Sequence, residues 1–549
     1  MKFGPLWALV LALTVAGVAS AATLEQWRSR SIYQVLTDRF ARSDISTTAK
    51  CNVTEGNYCG GTYQGIIKKL NYIQEMGFSA IWISPITLNI PEKTKFGYAW
   101  HGYWQQDLYK LNDHYGSAED LKMLSRALHA RGMYLMVDIV TNHNGWNGSA
   151  DSVDYTRFRP FNDRKYYHDY CAIADYTDQV QVENCWLGDT TVPLPDLNTE
   201  DQNVRTMYGT WIKQLISNYS IDGLRLDTVK YVDRPFWASF QRAANIFATG
   251  EVLSSNITFA CSYQAELGSV LNYPAYYAII DFLNSTSGTT APLLHAAQTF
   301  KTSCKDTSVL TTFTENHDLP RFASQTKDMA LAKNALALTL LWDGIPIVYA
   351  GQEHHYSGYA DPANREATWL SGYSNKAELY TLTRTLNLVR SRALALSPSY
   401  ATYNIWPIYN DTHTIAFRKG SSNAQIISVF TNVGSTNTNY APWTLTLASG
   451  VTGWIPGTDV VEVLSCTKLT ISPDGSLAVK MQKGLPKVYF SAAAAKADRR
   501  ICNGAYTVSD AGDAAPSETR KSVATAGLRG KKKKAVAIAG IMAYHGLNT

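Results

Sequence analysis

Short apolar segments alternate with longer amphipathic ones along most of the chain, and this alternation predicts strands and helices in turn. Residues 134–140 are almost continuously apolar, as in a strand that is buried on both faces. Further strands are predicted at residues 31–36, 80–83, 223–227, 247–251, 309–313 and 345–349, with another expected near Val270 and Leu271. Helices are predicted at residues 65–76, 118–131, 204–218 and 235–244.

This order of elements favours a closed (β/α)8 barrel, the TIM barrel of the α/β class, over an open, doubly wound sheet. An open sheet that binds a nucleotide carries a glycine-rich loop after its first strand, and no such loop follows residues 31–36. In a barrel, chemistry is expected at the C-terminal ends of the strands.

Two stretches depart from the alternation. Residues 143–197 are rich in Gly, Asp and Tyr and have little helical periodicity, which predicts a subdomain inserted after the third strand. Short alternating segments at 414–418, 426–431, 443–447 and 476–479 predict an antiparallel β-sandwich domain. The predicted organisation is a leader at 1–21, a barrel formed by 22–142 and 198–400, the insertion at 143–197, the β domain at 401–502 and a disordered tail at 503–549.

The net charge of the chain comes from its two ends. The formal net charge is +5 over 549 residues, and it comes from Lys2 and from seven basic against three acidic residues after Cys502. The body between is neutral, so no binding surface for nucleic acid or for an anionic membrane is predicted. Fourteen Trp and 33 Tyr exceed what a core of this size needs, and flat aromatic faces suit sugar rings.

The N-terminus has the pattern of a secretory signal. Lys2 precedes an apolar segment at 6–18, which is too short to span a bilayer, and Ala19-Ser20-Ala21 gives a cleavage pattern. We therefore expect a secreted protein without a transmembrane helix. The basic run at 531–534, followed by an apolar segment at 535–544, leaves a glycolipid anchor at the cell surface as an alternative.

Eight cysteines in an exported chain predict four disulfide bonds. The number of cysteines allows 105 pairings, and the sequence alone does not choose among them. Short loops favour pairing between neighbours: Cys51–Cys59, Cys171–Cys185, Cys261–Cys304 and Cys466–Cys502. Six Asn-x-Ser/Thr sites, at Asn52, Asn147, Asn218, Asn256, Asn284 and Asn410, are compatible with glycosylation of some of them.

Three acids follow predicted strands: Asp227, Glu251 and Asp318. Arg225 alternates with Asp227 across Leu226, so a strand would point both charges to the same face. A buried carboxylate needs a counter-charge, and this arginine would supply it. Two carboxyl groups with a third in support fit the cleavage of a glycosidic bond.

Three motifs contain these residues, and a fourth precedes them in the chain: Asp138-Ile-Val-Thr-Asn-His143, then Gly223-Leu-Arg-Leu-Asp-Thr-Val-Lys230, Gly250-Glu-Val-Leu253 and Phe313-Thr-Glu-Asn-His-Asp318. In this order they resemble the α-amylase family, glycoside hydrolase family 13. His101-Gly-Tyr-Trp-Gln-Gln-Asp107 and Asp361-Pro-Ala-Asn-Arg-Glu366 are further similar to secreted fungal α-amylases of the Taka-amylase type. The resemblance covers residues 22–502.

The resemblance implies a role for each matching residue. Asp227 matches the nucleophile, Glu251 the general acid/base and Asp318 the transition-state stabiliser. Nine residues match substrate-binding positions: Arg225, His143, His317, Tyr103, Trp104, His101, Lys230, Asp361 and Arg365. The implied partner is an α-glucan, that is starch, glycogen or maltooligosaccharides, and a monomer is expected.

A calcium ion is the implied cofactor. Asn142, Glu183, Asp196 and the backbone carbonyl of Tyr231 match the family's ligands, and Ca²⁺ binds such oxygen atoms. Because these residues come from the barrel and from the insertion, the ion would hold the two together. Composition alone does not indicate this site.

The chain departs from the family's pattern at three places on the leaving-group side. Tyr231 stands where histidine is usual, Leu319 stands where a polar residue is common, and residues 254–256 replace an Asp/Gly-containing stretch. The prediction is therefore endo-hydrolysis of α-1,4 bonds with retention, with a 4-α-glucanotransferase on the same fold as the closest alternative. An inactive α-glucan-binding wall protein and a metallohydrolase are weaker alternatives, since the three acids are intact and no HExxH motif exists.

Overall fold

The computed structural model describes residues 22–436, 442–505 and 507–508. The predicted leader at 1–21 and the basic run at 531–534 lie outside the described residues, so the expectations about export and anchoring are not addressed by the fold.

Eight parallel strands form a nearly closed barrel. They are β1 (Ile32–Val35), β2 (Ala80–Ile83), β3 (Tyr134–Ile139), β4 (Gly223–Leu226), β5 (Phe247–Gly250), β6 (Gly268–Val270), β7 (Thr311–Thr312) and β8 (Ile345–Tyr349). A parallel bridge between Leu271 and Thr311 joins the two edges of the sheet. The predicted barrel is confirmed, including the sixth strand near Val270.

Strand β7 is shorter than the predicted segment 309–313. Its neighbour β8 places Pro346 opposite Thr312. Proline has no N–H to donate, so the hydrogen-bond ladder is weakened there. The preceding residues Thr307–Val309 form a 3₁₀ turn instead of extending the strand.

Helices follow the strands and cover the outside of the barrel. In chain order they are α1 (Tyr63–Glu75), α2 (Ala118–His129), α3 (Gln202–Tyr219), α4 (Arg234–Ala244), α5 (Ile257–Ser262), α6 (Tyr273–Leu283), α7 (Ala291–Ser303), α8 (Met329–Leu341) and α9 (Glu378–Leu396). Helix α2 begins with a capping box in which the Ser117 and Asp120 side chains bond each other's backbone N–H groups. None of the helices in the described ranges combines the length and apolar composition that a bilayer-spanning segment requires.

The loops at the C-terminal ends of β2 and β3 are long. The first contains an antiparallel hairpin of strands Thr87–Asn89 and Gln105–Leu111, which the apolar pattern did not predict because Gln105, Gln106 and Asp107 are polar although buried. The second is the insertion. It contains a short helix, Gln179–Asn184, several 3₁₀ turns and a bridge from His143 to Asp196.

The C-terminal domain is a sandwich of two unequal sheets. The larger sheet contains Trp406–Asn410, Thr414–Lys419, Ile426–Thr431, Asp459–Glu462, Thr467–Thr470, Lys487–Ser491 and Thr507–Val508, and the smaller contains Trp443–Leu447 and Leu477–Met481. Apolar side chains of both sheets, such as Val429 and Leu445, share one core. Strand Thr507–Val508 pairs in parallel with Thr467–Thr470, so the sheet continues past residue 502 and is not wholly antiparallel.

Polar contacts join this domain to the barrel. The Lys419 ammonium forms a buried ion pair with Asp343, which lies between α8 and β8. The Asn334 side chain of α8 donates to the Gly484 carbonyl oxygen at 2.8 Å and accepts from the Thr431 N–H at 2.9 Å. Four disulfide bonds are present: Cys51–Cys59, Cys171–Cys185, Cys261–Cys304 and Cys466–Cys502. These are the predicted neighbour pairings.

Candidate active site

Arg225 is the centre of a cluster of acids at the C-terminal ends of β3, β4 and β5. Its Nη1 donates to Asp138 Oδ1 at 2.9 Å and to Asp227 Oδ1 at 2.5 Å. Its Nη2 donates to Glu251 Oε2 at 2.9 Å. One guanidinium therefore holds three carboxylates that are far apart in the chain.

The strand geometry explains this arrangement. Leu224 and Leu226 alternate with Arg225 in β4 and are fully buried outside the barrel axis, so Arg225 and Asp227 share the inner face. Glu251 follows the last residue of the adjacent β5, and its N–H donates to the Leu226 carbonyl oxygen at 2.8 Å. The predicted pairing of Arg225 with Asp227 is present in the structure.

Thr228 links the two acids a second time. Its N–H donates to Glu251 Oε2 at 3.0 Å, and its hydroxyl donates to Asp227 Oδ2 at 3.1 Å. Residue 228 has φ of 48°, a left-handed conformation that is uncommon for threonine and that turns its N–H toward Glu251. The carboxyl groups of Asp227 and Glu251 thus lie beside one another.

Burial raises the pKa of Asp227, and the neighbouring Glu251 and Asp138 charges add to this, whereas the Arg225 guanidinium opposes it. The sequence predicted that Arg225 would keep Asp227 ionised. The structure adds that this one positive charge is shared among three acids, so it offsets only part of the cost of burial.

Asp318 lies on the other side of the cleft, after β7. Arg365 Nη2 donates to Asp318 Oδ1 at 3.1 Å, and Arg365 Nε lies 3.2 Å from Asp361 Oδ1. The N–H of Asp318 is bound by the Asn316 side chain at 2.9 Å. Arg365 therefore connects two of the predicted site carboxylates.

The predicted histidines are buried and neutral. Burial lowers the pKa of His143 to about 4. Burial and the nearby Arg365 charge lower the pKa of both His101 and His317 well below the usual value. At neutral pH each ring therefore carries one N–H donor and one nitrogen acceptor.

Two adjoining clefts contain most of the predicted substrate residues. The central cleft is lined by Tyr103, His143, Asp227, Glu251, His317 and Asp318, together with Leu187, Tyr231, Leu253, Tyr273 and Leu319. The second, of about 460 Å³, is lined by His101, Trp104, Asp361 and Arg365, with Trp100, Lys93 and Lys95 among the others. The buried Trp104 indole N–H has no hydrogen-bond partner among the residues that the structure describes.

Lys230 differs from the other predicted substrate residues. Its ammonium donates to the Leu253 carbonyl oxygen at 3.4 Å and lies 5.0 Å from the centroid of the Tyr231 ring. It is 8% exposed and lines neither of the two clefts just described. In this structure it supports the cleft wall.

Four contacting residues were given no role from the sequence: Gln34, Trp82, Asp138 and Tyr273. Asp138 is the only acid in the apolar segment 134–140, and Gln34 is the only amide in the apolar segment 31–36. A polar side chain inside a strand buried on both faces is the signal that could have identified both. The Tyr273 hydroxyl donates to Glu251 Oε1 at 3.3 Å, and this contact, not a sequence pattern, identifies Tyr273 as part of the site.

The residues predicted to bind calcium lie in two groups: Asn142 with Asp196, and Glu183 beside the turn that contains Tyr231. The Leu197 N–H donates to the Asn142 carbonyl oxygen at 2.9 Å, which places Asp196 beside Asn142. The Gln179 side chain donates to Glu183 Oε1 at 2.8 Å and to the carbonyl oxygen of Lys230 at 2.7 Å. Burial raises the pKa of both Asp196 and Glu183, and the Glu200 charge adds to the rise in each.

These residues fit a cation. Asp196 is 1% exposed, and its Oδ1 has no hydrogen-bond partner among the described residues. Burial raises the pKa of Asp196 to about 7. A buried carboxylate oxygen without a partner is stabilised by a positive ion. Within the described ranges, no group of three or more His, Cys, Asp or Glu side chains is arranged around a metal position, and this donor set instead includes an amide and a backbone carbonyl.

Comparisons with known proteins agree along most of the chain. A family model described as the α-amylase catalytic domain matches residues 34–400, and one for α-amylase domain C matches residues 407–509. Alpha-amylase 2 of Schwanniomyces occidentalis is 48% identical over 488 residues, which cover 89% of this chain and 94% of that protein. The α-amylase of Saccharomycopsis fibuligera is 47% identical over 485 residues, which cover 88% of this chain and 96% of that protein.

Solved structures show the same likeness. An α-amylase from Malbranchea cinnamomea has a TM-score of 0.83 and 50% identity, covering 86% of this chain and 98% of that one. A γ-CGTase from an alkalophilic Bacillus clarkii has a TM-score of 0.72 at 21% identity, which is a likeness of fold alone. The chain belongs to the α-amylase family and is a glycoside hydrolase that cleaves internal α-1,4-glucan bonds.

Proposed function

We propose that Asp227 is the nucleophile and Glu251 the general acid/base of a retaining α-amylase reaction. The observation that carries this assignment is the shared guanidinium, because Arg225 bonds Asp227 through Nη1 and Glu251 through Nη2. Two carboxyl groups held this close suit a double displacement, for which a separation of about 5–5.5 Å is typical.

In the first step, an Asp227 oxygen attacks the anomeric carbon while Glu251 gives its proton to the glycosidic oxygen. The bond to the leaving sugar breaks, and a covalent glycosyl ester forms. In the second step, Glu251 takes a proton from water, the resulting hydroxide attacks the same carbon, and Asp227 leaves as the carboxylate. Two inversions give net retention.

Asp318 supports the positive charge that develops on the sugar ring between these steps. Arg365 and the Asn316 side chain hold the Asp318 carboxylate, so little reorganisation is needed when the charge appears. The buried imidazoles of His143 and His317, with Tyr103, are proposed to bind the ring at the cleavage point. His101, Trp104, Asp361 and Arg365 are proposed to bind the sugar on the adjoining, non-reducing side, and Lys230 to act from the cleft wall.

We also propose that Asn142, Glu183, Asp196 and the Tyr231 carbonyl hold Ca²⁺. The unpartnered Asp196 oxygen supports this proposal. When bound, the ion would neutralise the acids and link insertion to barrel. The chemical steps are carried out by the residues of the barrel.

The sequence pattern and the disulfide bonds also bear on where the protein acts. We propose a secreted monomer that acts on starch, glycogen or maltooligosaccharides and has domain boundaries near 142, 197 and 400. The four disulfide bonds support an oxidising environment.

Product analysis tests the proposed reaction. Maltoheptaose should give shorter maltooligosaccharides, and NMR of the fresh products should show the α-anomer first, as retention requires. Initial release of the β-anomer would reject the double displacement. Products longer than maltoheptaose as the main outcome would favour transfer over hydrolysis.

A further inference from the structure

Gln34 is a buried polar residue of β1, and among the described residues its side chain hydrogen-bonds to the site through His317. It is 1% exposed, and its side-chain Nε2 lies 2.8 Å from His317 Nδ1. On the far side of the ring, His317 Nε2 lies 2.6 Å from the Tyr103 hydroxyl oxygen. The ring is thus held at both nitrogens by two residues that are far from it in sequence.

The direction of each hydrogen bond follows from Asp138. The Trp82 indole N–H donates to Asp138 Oδ2 at 3.1 Å, and Arg225 donates to Oδ1 at 2.9 Å. Paired with Arg225, Asp138 is a carboxylate that only accepts. The Tyr103 hydroxyl lies 2.8 Å from Oδ2 and must therefore donate its single hydrogen bond to Asp138.

The rest of the chain of bonds is then determined. Because the Tyr103 hydroxyl donates to Asp138, it can only accept from His317, so His317 Nε2 carries the proton. In a neutral imidazole Nδ1 is then an acceptor, and the Gln34 amide is the donor that matches it. If the Gln34 amide were reversed, its oxygen would face His317 Nδ1, and that nitrogen would have to carry the proton. The contact between His317 Nε2 and the Tyr103 oxygen would then have no proton.

We propose that Gln34 is a positioning residue that sets the tautomer and orientation of His317, so that Nε2–H donates to the Tyr103 hydroxyl and the ring is held in the cleft wall. His317 Nε2 also lies 3.4 Å from Asp318 Oδ2, so the ring fixed between Gln34 and Tyr103 is beside this acid. A histidine with a bare Nε2 would leave no proton between that nitrogen and the Tyr103 oxygen, and the ring would lose this hydrogen bond. The inference rests on the proposed role of His317 in substrate binding.

Nitrogen NMR tests the tautomer directly. The chain contains 11 histidines, so ¹⁵N-histidine labelling gives few signals, and His317→Gln identifies the one required. The wild-type spectrum should show the proton on Nε2. In Gln34→Glu the carboxylate should draw a proton to Nδ1. A wild-type ring protonated on Nδ1 would overturn the proposal.

Kinetics on maltoheptaose test the consequence. Gln34→Met keeps the size but removes the donor, and we expect kcat/KM to fall on the order of tenfold, the lower end of the loss seen when the hydrogen-bond partner of a metal-bound histidine is removed. Gln264→Met is the matched control. That glutamine is equally buried, but it bonds the carbonyl oxygens of Gly268 and Asp306 at the opposite end of the barrel, so only thermal stability should change.

A double-mutant cycle separates positioning from packing. In a His317→Gln background, Gln34→Met should cause little further loss, because its effect passes through the ring. Fully additive losses, or wild-type kcat/KM in both Gln34 variants, would overturn the proposal. Asp227→Asn distinguishes the two hypotheses: if that variant is inactive while the Gln34 variants are fully active, only the positioning role fails.

Discussion

Arg225 and Asp138 form an ion pair of 2.9 Å between adjacent strands, with side-chain exposures of 1% and 0%. Asp138 is not directed at the cleft. It accepts from Arg225, Trp82 and Tyr103, and so fixes Arg225, which contacts the proposed catalytic acids, and Tyr103, which contacts His317. The arrangement of the site therefore depends on this ion pair.

Arg225→Gln should therefore affect both folding and catalysis. It leaves three buried carboxylates without their cation, and breaking a buried pair costs about 3–5 kcal/mol. We expect a lower melting temperature and a fall in kcat of roughly a hundredfold or more. Asp138→Asn should lower kcat less, because Arg225 then still serves Asp227 and Glu251. Equal losses in the two variants would contradict this ranking.

Asp227→Asn and Glu251→Gln should each lower kcat on starch by roughly 10³-fold or more, because each removes a reacting group. A maltooligosaccharide with an acidic phenol as its leaving group separates their roles. That leaving group departs without a proton, so Glu251→Gln should release phenol in a burst while Asp227→Asn should not. A burst from the Asp227 variant instead would reverse the assignment.

Chelation should lower the melting temperature before it removes activity from the folded enzyme. A ligand at 100 times its Kd adds about 2.7 kcal/mol to stability, and calcium should restore what the chelator removes. Asp196→Asn should melt lower and respond little to either treatment. A wild-type protein whose melting temperature is the same with chelator and with calcium would contradict the proposed site.

Lys419→Met tests the contact between the barrel and the C-terminal domain. It leaves Asp343 buried without its cation, and we expect a loss of about 3 kcal/mol in the free energy of unfolding. The double variant Asp343→Asn/Lys419→Met should recover part of this loss, because neither charge is then left unpaired. A double variant less stable than the sum of the single changes would argue against an ion-pair role. Denaturant unfolding measures all three.

His129 should contribute stability that depends on pH. Its ring nitrogen lies 2.8 Å from Asp222 Oδ2, and this hydrogen bond raises the pKa of His129. The contribution is fully present below the unfolded value of about 6.5 and is lost as the pH rises through the raised native value. His129→Gln should therefore lower the melting temperature more at about pH 6 than at about pH 9. An equal effect at both would exclude the ion pair as its source.

The pattern of apolar positions is enough to predict the barrel and to place the three acids at strand ends. Strands buried on both faces must be apolar throughout, so residues 134–140 are recognisable without a partner. The ends of parallel strands meet at one edge, which made Asp227, Glu251 and Asp318 candidates for one site. The cysteine spacing favoured the pairings that form.

Which side chains hydrogen-bond to one another follows from how the strands are arranged in the folded protein. A buried polar side chain is stabilised by partners from other strands, and the local pattern does not name them. The sequence pattern therefore does not identify Asp138, Gln34 or Tyr273, and it does not show that the Lys230 ammonium bonds the Leu253 carbonyl oxygen. The apolar pattern does not predict the hairpin strand Gln105–Leu111 for the same reason. Its buried polar side chains are stabilised by hydrogen bonds that form only in the folded protein.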